Sequence, residues 1–418
     1  MAHKTPIIIG LFPCQAHHLQ GGRSGRLGGC CFPDWLWGLS WLWGLSNLDA
    51  MPQLQDSPTN PERPLGAHGD AARSTGAGRE ADRMYESLAA GTGTTGGVVP
   101  GIVVLGAGGQ LGTALVAGLA EHTAPVVALG RAELDLTASD EECAAALRAA
   151  IEQAGGRDVV VINGAAWTAV DAAEEAANTT TVERVNGTAP GVLAKVAAEQ
   201  GAGFVHVSTD YVFSGEAGRP RAVTPDDSPA PVNKYGRTKL AGERAVLEAG
   251  GTVVRTAWVF SGPTGPGRDF LDTMAGLADR GVDPKVVDDQ WGRPTFTGHL
   301  AAGLVELATT LWRQRRAGEH SRTSESPSGG NEAEVRTPEL PRLLHATGSG
   351  EATTWAGFAA AIFEATGHDP VRVSRIPTAE YPTPARRPVG VYLDTSCWEA
   401  AGLSPLPAWQ DGLRAALG

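Results

Sequence analysis

The stretch Gly101 to His122, "GIVVLGAGGQLGTALVAGLAEH", constrains the fold more than any other part of the chain. A short apolar run is followed at once by Gly106, Gly109 and Gly112, and then by apolar residues that recur at helical spacing. Each glycine has a distinct task in such a turn. The first permits a tight bend, the second lets a pyrophosphate approach the backbone at a helix N-terminus, and the third lets helix and strand pack closely. A glycine triad by itself is weak evidence, but the strand–turn–helix setting makes it the phosphate-binding turn of a dinucleotide fold.

The same alternation continues downstream. "PVVALG", "DVVVING", "GFVHVS" and "TVVRTAWVF" are continuous apolar runs, separated by helical stretches such as "SDEECAAALRAAIEQAG" and "VERVNGTAPGVLAKVAAEQG". Ser139 stands where the first of these helices needs an N-cap, with acidic residues in the turn that follows. Uninterrupted apolar strands alternating with helices predict an α/β chain: a Rossmann-type, doubly wound parallel sheet covered on both faces. "LLHATG" predicts one more strand, with a helix at "TTWAGFAAAIFEATG" and a final segment "PAWQDGLRAALG". Two regions lack this order. Residues 1–98 carry no sustained periodicity and are expected to be a disordered or non-native extension; about 313–340 is charged and rich in Ser, Pro and Gly, and is expected to be a disordered insertion.

Composition excludes several classes. A formal net charge of −12 argues against a nucleic-acid surface, which needs concentrated Lys and Arg. Five cysteines without metal-ligand spacing give neither a disulfide framework nor a zinc site, and fit a reducing, cytoplasmic setting. "TPIIIGLF" has no convincing cleavage site, and "DWLWGLSWLWGLS" is too short to span a bilayer.

The chemistry lies at strand ends and on one helix. "HVSTDYVFSG" places Ser208, Thr209 and Asp210 at the C-terminal end of a strand, the edge where an open α/β sheet meets its ligand. Tyr235 and Lys239 follow in "VNKYGRTKLAGER", four residues apart and so on one helix face. Ketone reduction needs a hydride and a proton for the developing alkoxide; a tyrosine can give the proton, and a lysine ammonium nearby favours the phenolate left behind. At the end of the second strand, where an acidic residue would bind the ribose 2′-hydroxyl of NAD, stand Gly130 and Arg131. Arg131 could pair with the 2′-phosphate of NADP or be a solvated loop charge, so the reading leans to NADPH and leaves NADH open. Asp171, Glu174 and Glu175 are read as a solvated helix start.

From about residue 100 onward the chain resembles the extended short-chain dehydrogenase/reductases, and within them the sugar-nucleotide reductases of the dTDP-4-dehydrorhamnose reductase family. The segments that carry the resemblance are "GAGGQLG", "LDLT", "NGAAWTAVDAAE", "VNGTAP", "HVSTDYVFSG", "YGRTKLAGE", "RTAWVFSG", "DFLDTM" and "ARRPVGVYLDTS", in that order. It implies that residues 99–418 form an NAD(P)-binding reductase with an interleaved, smaller, mostly C-terminal substrate lobe. It implies reduction of the 4-keto group of dTDP-6-deoxy-L-lyxo-4-hexulose to dTDP-L-rhamnose, by an enzyme for which a homodimer stays open. Other readings are an epimerase or dehydratase of the same superfamily, or a non-catalytic regulatory subunit like the β subunit of methionine adenosyltransferase.

The resemblance also assigns roles. Gly109, Gln110 and Leu111 would lie against the cofactor pyrophosphate, Asp135 and Leu136 near the adenosine, and Ala165, Ala166 and Thr168 beyond the third strand. Tyr235 would be the acid and Lys239 its helper. Thr209 would bond the reacting carbonyl oxygen, Asp210 would contact substrate, and Trp258 would pack on the sugar. Ala114 stands where some members carry a glutamate of a magnesium site, so no metal is expected. The family's usual Asn-Phe is Asp269-Phe270 here, which leaves that substrate contact open.

Overall fold

The apolar runs pair side by side in the computed structural model, which describes residues 8–9, 98–215, 220–323 and 339–418. Strands β1 (Ile8–Ile9), β2 (Gly101–Leu105), β3 (Val126–Leu129), β4 (Val159–Asn163), β5 (Gly203–Thr209), β6 (Thr252–Thr256) and β7 (Leu343–His345) form one parallel sheet in the order β1-β3-β2-β4-β5-β6-β7. Order reverses at β2, which lies between β3 and β4, so a crevice opens at the C-terminal ends of β2 and β4.

Side-chain alternation along the buried strands feeds two cores. On one face Val103, Leu105 and Val161 meet Leu147 and Ile151 of helix α2 (Asp140–Ala154), Leu193 of α3 (Ala189–Glu199) and Val246 of α4 (Lys234–Glu248). On the other, Ile102, Val104 and Ile162 meet Leu115 of α1 (Gln110–Gly118) and Leu300, Leu304 and Leu307 of a long helix, Thr297–Thr323. Ser139 caps α2 as expected: its hydroxyl accepts the Glu142 N–H at 3.2 Å, and the Glu142 carboxylate accepts the Ser139 N–H at 3.0 Å.

The long helix corrects one expectation. Residues 313–323 continue it rather than opening an insertion. Their charges dock on the sheet edge: Arg315 donates to the Gly201 carbonyl at 2.7 Å, and Arg316 reaches Asp158, which also accepts from Trp312 Nε1 at 3.0 Å. Residues 324–338, the rest of the expected insertion, lie outside the described residues, as do 1–7 and 10–97 of the expected extension.

A third core belongs to a second lobe. It gathers Phe260, Leu271 and Met274 of α5 (Phe270–Asp279), Phe358 and Ile362 of Trp355–Ala365, and Trp409 and Leu413 of Trp409–Leu417. Its short strand pairs join distant parts of the chain: Arg221–Val223 with Val391–Leu393, and Lys285–Val287 with Ser374–Ile376. The lobe therefore interleaves with the sheet domain along the sequence.

Candidate active site

A cavity of about 970 Å³ follows the C-terminal edge of the sheet and reaches into the second lobe. Every residue nominated from the sequence lines it: the glycine turn with Gln110 and Leu111, then Arg131, Asp135 and Leu136, then Ala165, Ala166 and Thr168, and finally Thr209, Asp210, Tyr235, Lys239 and Trp258.

The glycine turn behaves as its sequence implies. Gly106 has φ +77°, and a Cβ there would fall 2.8 Å from the Ala165 backbone. A Cβ on Gly112 would lie 2.1 Å from the Gly106 carbonyl oxygen, so only glycine lets α1 settle this closely on β2. Gly109 caps α1 without a side-chain bond, leaving the first N–H groups of the helix directed at the cavity. Beyond β3, Arg131 is largely exposed and stands 3.8 Å from Asp135, whose carboxylate also accepts the backbone N–H and hydroxyl of Thr137. These bonds and the neighbouring Arg131 charge outweigh partial desolvation and lower the Asp135 pKa.

The reactive end is built by close approach of α4 to the end of β5. Asn233 caps the helix by accepting the Gly236 N–H at 2.7 Å, and its amide donates to the Arg386 carbonyl at 2.8 Å. Gly236 sits so near the Tyr211 carbonyl that a Cβ would fall 2.1 Å from the oxygen. Tyr235 is thereby pressed edge-on against Tyr211, with ring centroids 5.4 Å apart. Burial pushes the Tyr235 pKa up, partly offset by the neighbouring Thr209 hydroxyl, so the phenol stays protonated. Burial also raises Asp210, to about 7, although the Thr209 hydroxyl donates to it at 3.1 Å. Lys239 is 2% exposed, and burial lowers it to about 8 against the pull of the Glu243 charge.

Lys239 Nζ donates to the Val207 carbonyl at 2.7 Å and lies 3.2 Å from His206 Nε2. Trp258 is in the wall, but Trp355 stacks on it at 3.8 Å and Gly292 presses against the indole, so little of it is exposed. Its φ of +50° makes it the one non-glycine residue with left-handed backbone among the described residues. Asp269 takes a structural place: it caps α5, and Oδ2 accepts the N–H groups of Ser261 at 2.7 Å and Gly262 at 2.9 Å.

Several wall residues have partners that the sequence did not show. Asp171, expected at a solvated helix start, grips Arg387 through both carboxylate oxygens at 2.5 and 2.7 Å and also accepts the Ala385 N–H. Arg387, Trp355, Gln290 and Tyr381 complete the cavity from the second lobe. "PARRPVG" carried a signal for Arg387, but nothing in the sequence said which carboxylate would hold it.

The residues fit a dinucleotide. A Cβ-free cradle faces unpaired helix N–H groups at one end, and at the other Ser208 Oγ and Thr256 Oγ1 are buried in the cavity wall without a protein partner. Buried hydroxyls left so are costly unless a ligand's polar groups meet them.

Comparison with known proteins agrees with this geometry. The chain is 40% identical over 320 residues to a dTDP-4-dehydrorhamnose reductase of Mycobacterium tuberculosis, covering 76% of this chain and 92% of the relative. It is 39% identical to a Streptomyces antibioticus protein named as a probable dTDP-4,6-dihydroxy-2-methyloxan-3-one 4-ketoreductase, over 75% of this chain and 93% of that one. Among solved structures, the dTDP-4-dehydrorhamnose reductase of Bacillus anthracis in complex with NADP superposes with a TM-score of 0.59 at 27% identity, covering 76% of this chain and 98% of that one. The family described as the RmlD substrate binding domain matches residues 101–324 and 331–418, and the chain belongs to that family.

Proposed function

We infer that the protein is an NAD(P)H-dependent reductase that converts the 4-keto group of dTDP-6-deoxy-L-lyxo-4-hexulose to the alcohol of dTDP-L-rhamnose. The observation that carries this reading is the meeting, in one cavity, of a pyrophosphate cradle with a buried tyrosine, threonine and lysine. When bound, the reduced nicotinamide supplies the hydride.

The remaining work falls to the chain. Tyr235, kept protonated by burial, gives its proton to the carbonyl oxygen as negative charge develops there. Thr209 already accepts the Tyr211 N–H and donates to Asp210, so its hydroxyl is held in place to turn toward the same oxygen. Lys239 lies one helical turn from Tyr235 with its amine fixed by the β5 backbone. Arg387, oriented by Asp171, presents a cation to the nucleotide-sugar end, and Trp258 with Trp355 forms an aromatic wall there. Arg131 is the group placed to meet a 2′-phosphate, which favours NADPH.

Among the described residues no helix is long and apolar enough to cross a membrane. With a net charge of −12, a cytoplasmic enzyme acting on a small nucleotide-sugar, without nucleic acid, is the reading we favour, with 99–418 as the working unit. Homodimer formation is checked by light scattering on the purified chain.

The test is NADPH oxidation with the dTDP-keto-sugar, using wild type and Tyr235→Phe. Substrate-dependent oxidation by wild type alone is expected. No oxidation by wild type overturns the reductase reading, and an unchanged rate in the variant removes Tyr235 as acid. Because the Streptomyces antibioticus relative is named for a different keto-sugar, a parallel assay with that compound decides which sugar turns over faster.

A further inference from the structure

Residues 288–290 take no part in hydride or proton transfer, yet Gln290 stands in the cavity wall. Strand pairing puts it there. Lys285–Val287 runs parallel to Ser374–Ile376 with Val287 opposite Ile376, so the residues just beyond each strand leave side by side. Asp289 and Gln290 follow one strand and Thr378 the other. Trp291–Gly292 then pairs antiparallel with Thr353–Thr354, and the Thr354 hydroxyl donates to Asp288 at 2.5 Å. Gln290 is thus held between two pairings, 8% exposed, in a wall it shares with Asp210, Trp258 and Trp355.

A neighbouring hydroxyl fixes which way its amide points. Asp289 accepts the Thr378 N–H through both carboxylate oxygens, at 2.9 and 3.0 Å. The Thr378 hydroxyl gives its only proton to Asp289 Oδ1 at 2.5 Å, which leaves the hydroxyl oxygen as an acceptor. The Gln290 atom 3.0 Å from that oxygen is therefore the amide nitrogen Nε2, donating to it. The other end of the amide is the carbonyl oxygen Oε1, which has no protein donor among the described residues. A carbonyl with so little solvent around it and no partner is costly until a ligand's O–H or N–H meets it.

We propose that Gln290 determines sugar specificity, its side-chain carbonyl accepting a hydrogen bond from a hydroxyl of the substrate's sugar ring. Asp289 and Thr378 are positioning residues that keep the carbonyl, and not the NH₂, turned toward the sugar. The inference rests on the reading of the cavity as a dTDP-keto-sugar site and deepens it. Besides the reacting carbon, the sugar of that substrate carries hydroxyls at C2 and C3, and each is a donor. An acceptor in this place favours a hydroxyl and disfavours a hydrogen, because the deoxy sugar leaves the carbonyl unmet. The stacked rings of Trp258 and Trp355, 3.8 Å apart, offer apolar faces that make no such distinction.

The test is binding, which does not depend on turnover. The full chain with NADP⁺ is titrated calorimetrically with dTDP-L-rhamnose and with its 2-deoxy and 3-deoxy counterparts. Wild type is expected to bind one of the two deoxy ligands at least about fivefold more weakly than dTDP-L-rhamnose. Gln290→Met keeps the length of the side chain but has no carbonyl, and is expected to bring that ratio within about twofold. A merely structural glutamine would weaken all three ligands alike and leave the ratio as it was. Thr378→Val frees the amide to turn and is expected to narrow the same ratio. Binding of dTDP, which has no sugar, reports whether each variant keeps its site, and Thr378→Val decides if the methionine variant does not fold. Equal binding of the three ligands by wild type, or an undiminished ratio in the folded variants, overturns the assignment and leaves the reductase reading standing. A wild type that binds none of the three and reduces no keto-sugar overturns that reading and the assignment with it.

Discussion

At the scale of single residues, the site depends on groups whose protonation is set by burial. Tyr235→Phe removes one hydroxyl from a tightly packed ring and is expected to lower kcat by about 10²- to 10⁴-fold, with the thermal midpoint little changed, as rate and melting measurements check. Asp210 offers a stability test. Its folded pKa is raised from 3.8 to about 7, so the native state binds the proton more tightly than the unfolded chain. The associated stability is fully present below about pH 4 and is lost as pH rises through 7, by a few kcal/mol in all. Urea unfolding of Asp210→Asn between pH 4 and 8 is expected to show a flatter pH dependence than wild type. Tyr235, Lys239 and Thr209 were legible in the sequence because helix period and strand end place them locally. The partners of Lys239 were not: His206 is 33 residues away and Asn163 a further 43, and only strand pairing brings them together.

At the scale of elements, glycine and capping residues decide how closely helices meet the sheet. Gly112→Ala would drive a methyl group into the Gly106 carbonyl. It is expected to weaken NADPH binding at least about tenfold and to destabilise the fold by about 1–3 kcal/mol, measured by cofactor titration and unfolding. Asp269→Ala removes the cap of α5 together with the acceptor for Ser261 and Gly262, and is expected to cost about 1–3 kcal/mol. Strands and capped helices followed from apolar runs and Ser139, which are local signals. The π-helical turn Glu183–Thr188 did not: it aims the Asn186 amide at both backbone groups of Trp167, 19 residues earlier, and so shapes the cavity wall. The extension of the long helix to Thr323 was equally hidden, because a run of arginines reads as a solvated linker until the carbonyl and carboxylate that receive it are known.

At the scale of the whole molecule, cofactor and substrate regions come from different lobes, and the sheet domain carries its own buried ion pair. The buried pair Arg255–Glu243, with side chains 2% and 1% exposed, ties β6 to α4 beneath the site. Glu243→Gln leaves the guanidinium without its charge partner and is expected to cost about 3–5 kcal/mol in unfolding experiments. The doubly wound sheet was legible from the alternation of runs; the second lobe was only outlined, since its strand pairs join segments far apart in the sequence. The Asp171–Arg387 clasp bears on how the enzyme comes into being. Its two halves are 216 residues apart, so a growing chain that has already folded its glycine turn waits roughly 10–40 s at ordinary elongation rates before Arg387 is even made. Synthesis itself thus keeps the nucleotide-sugar site incomplete until Arg387 has been added, 216 residues after its partner Asp171.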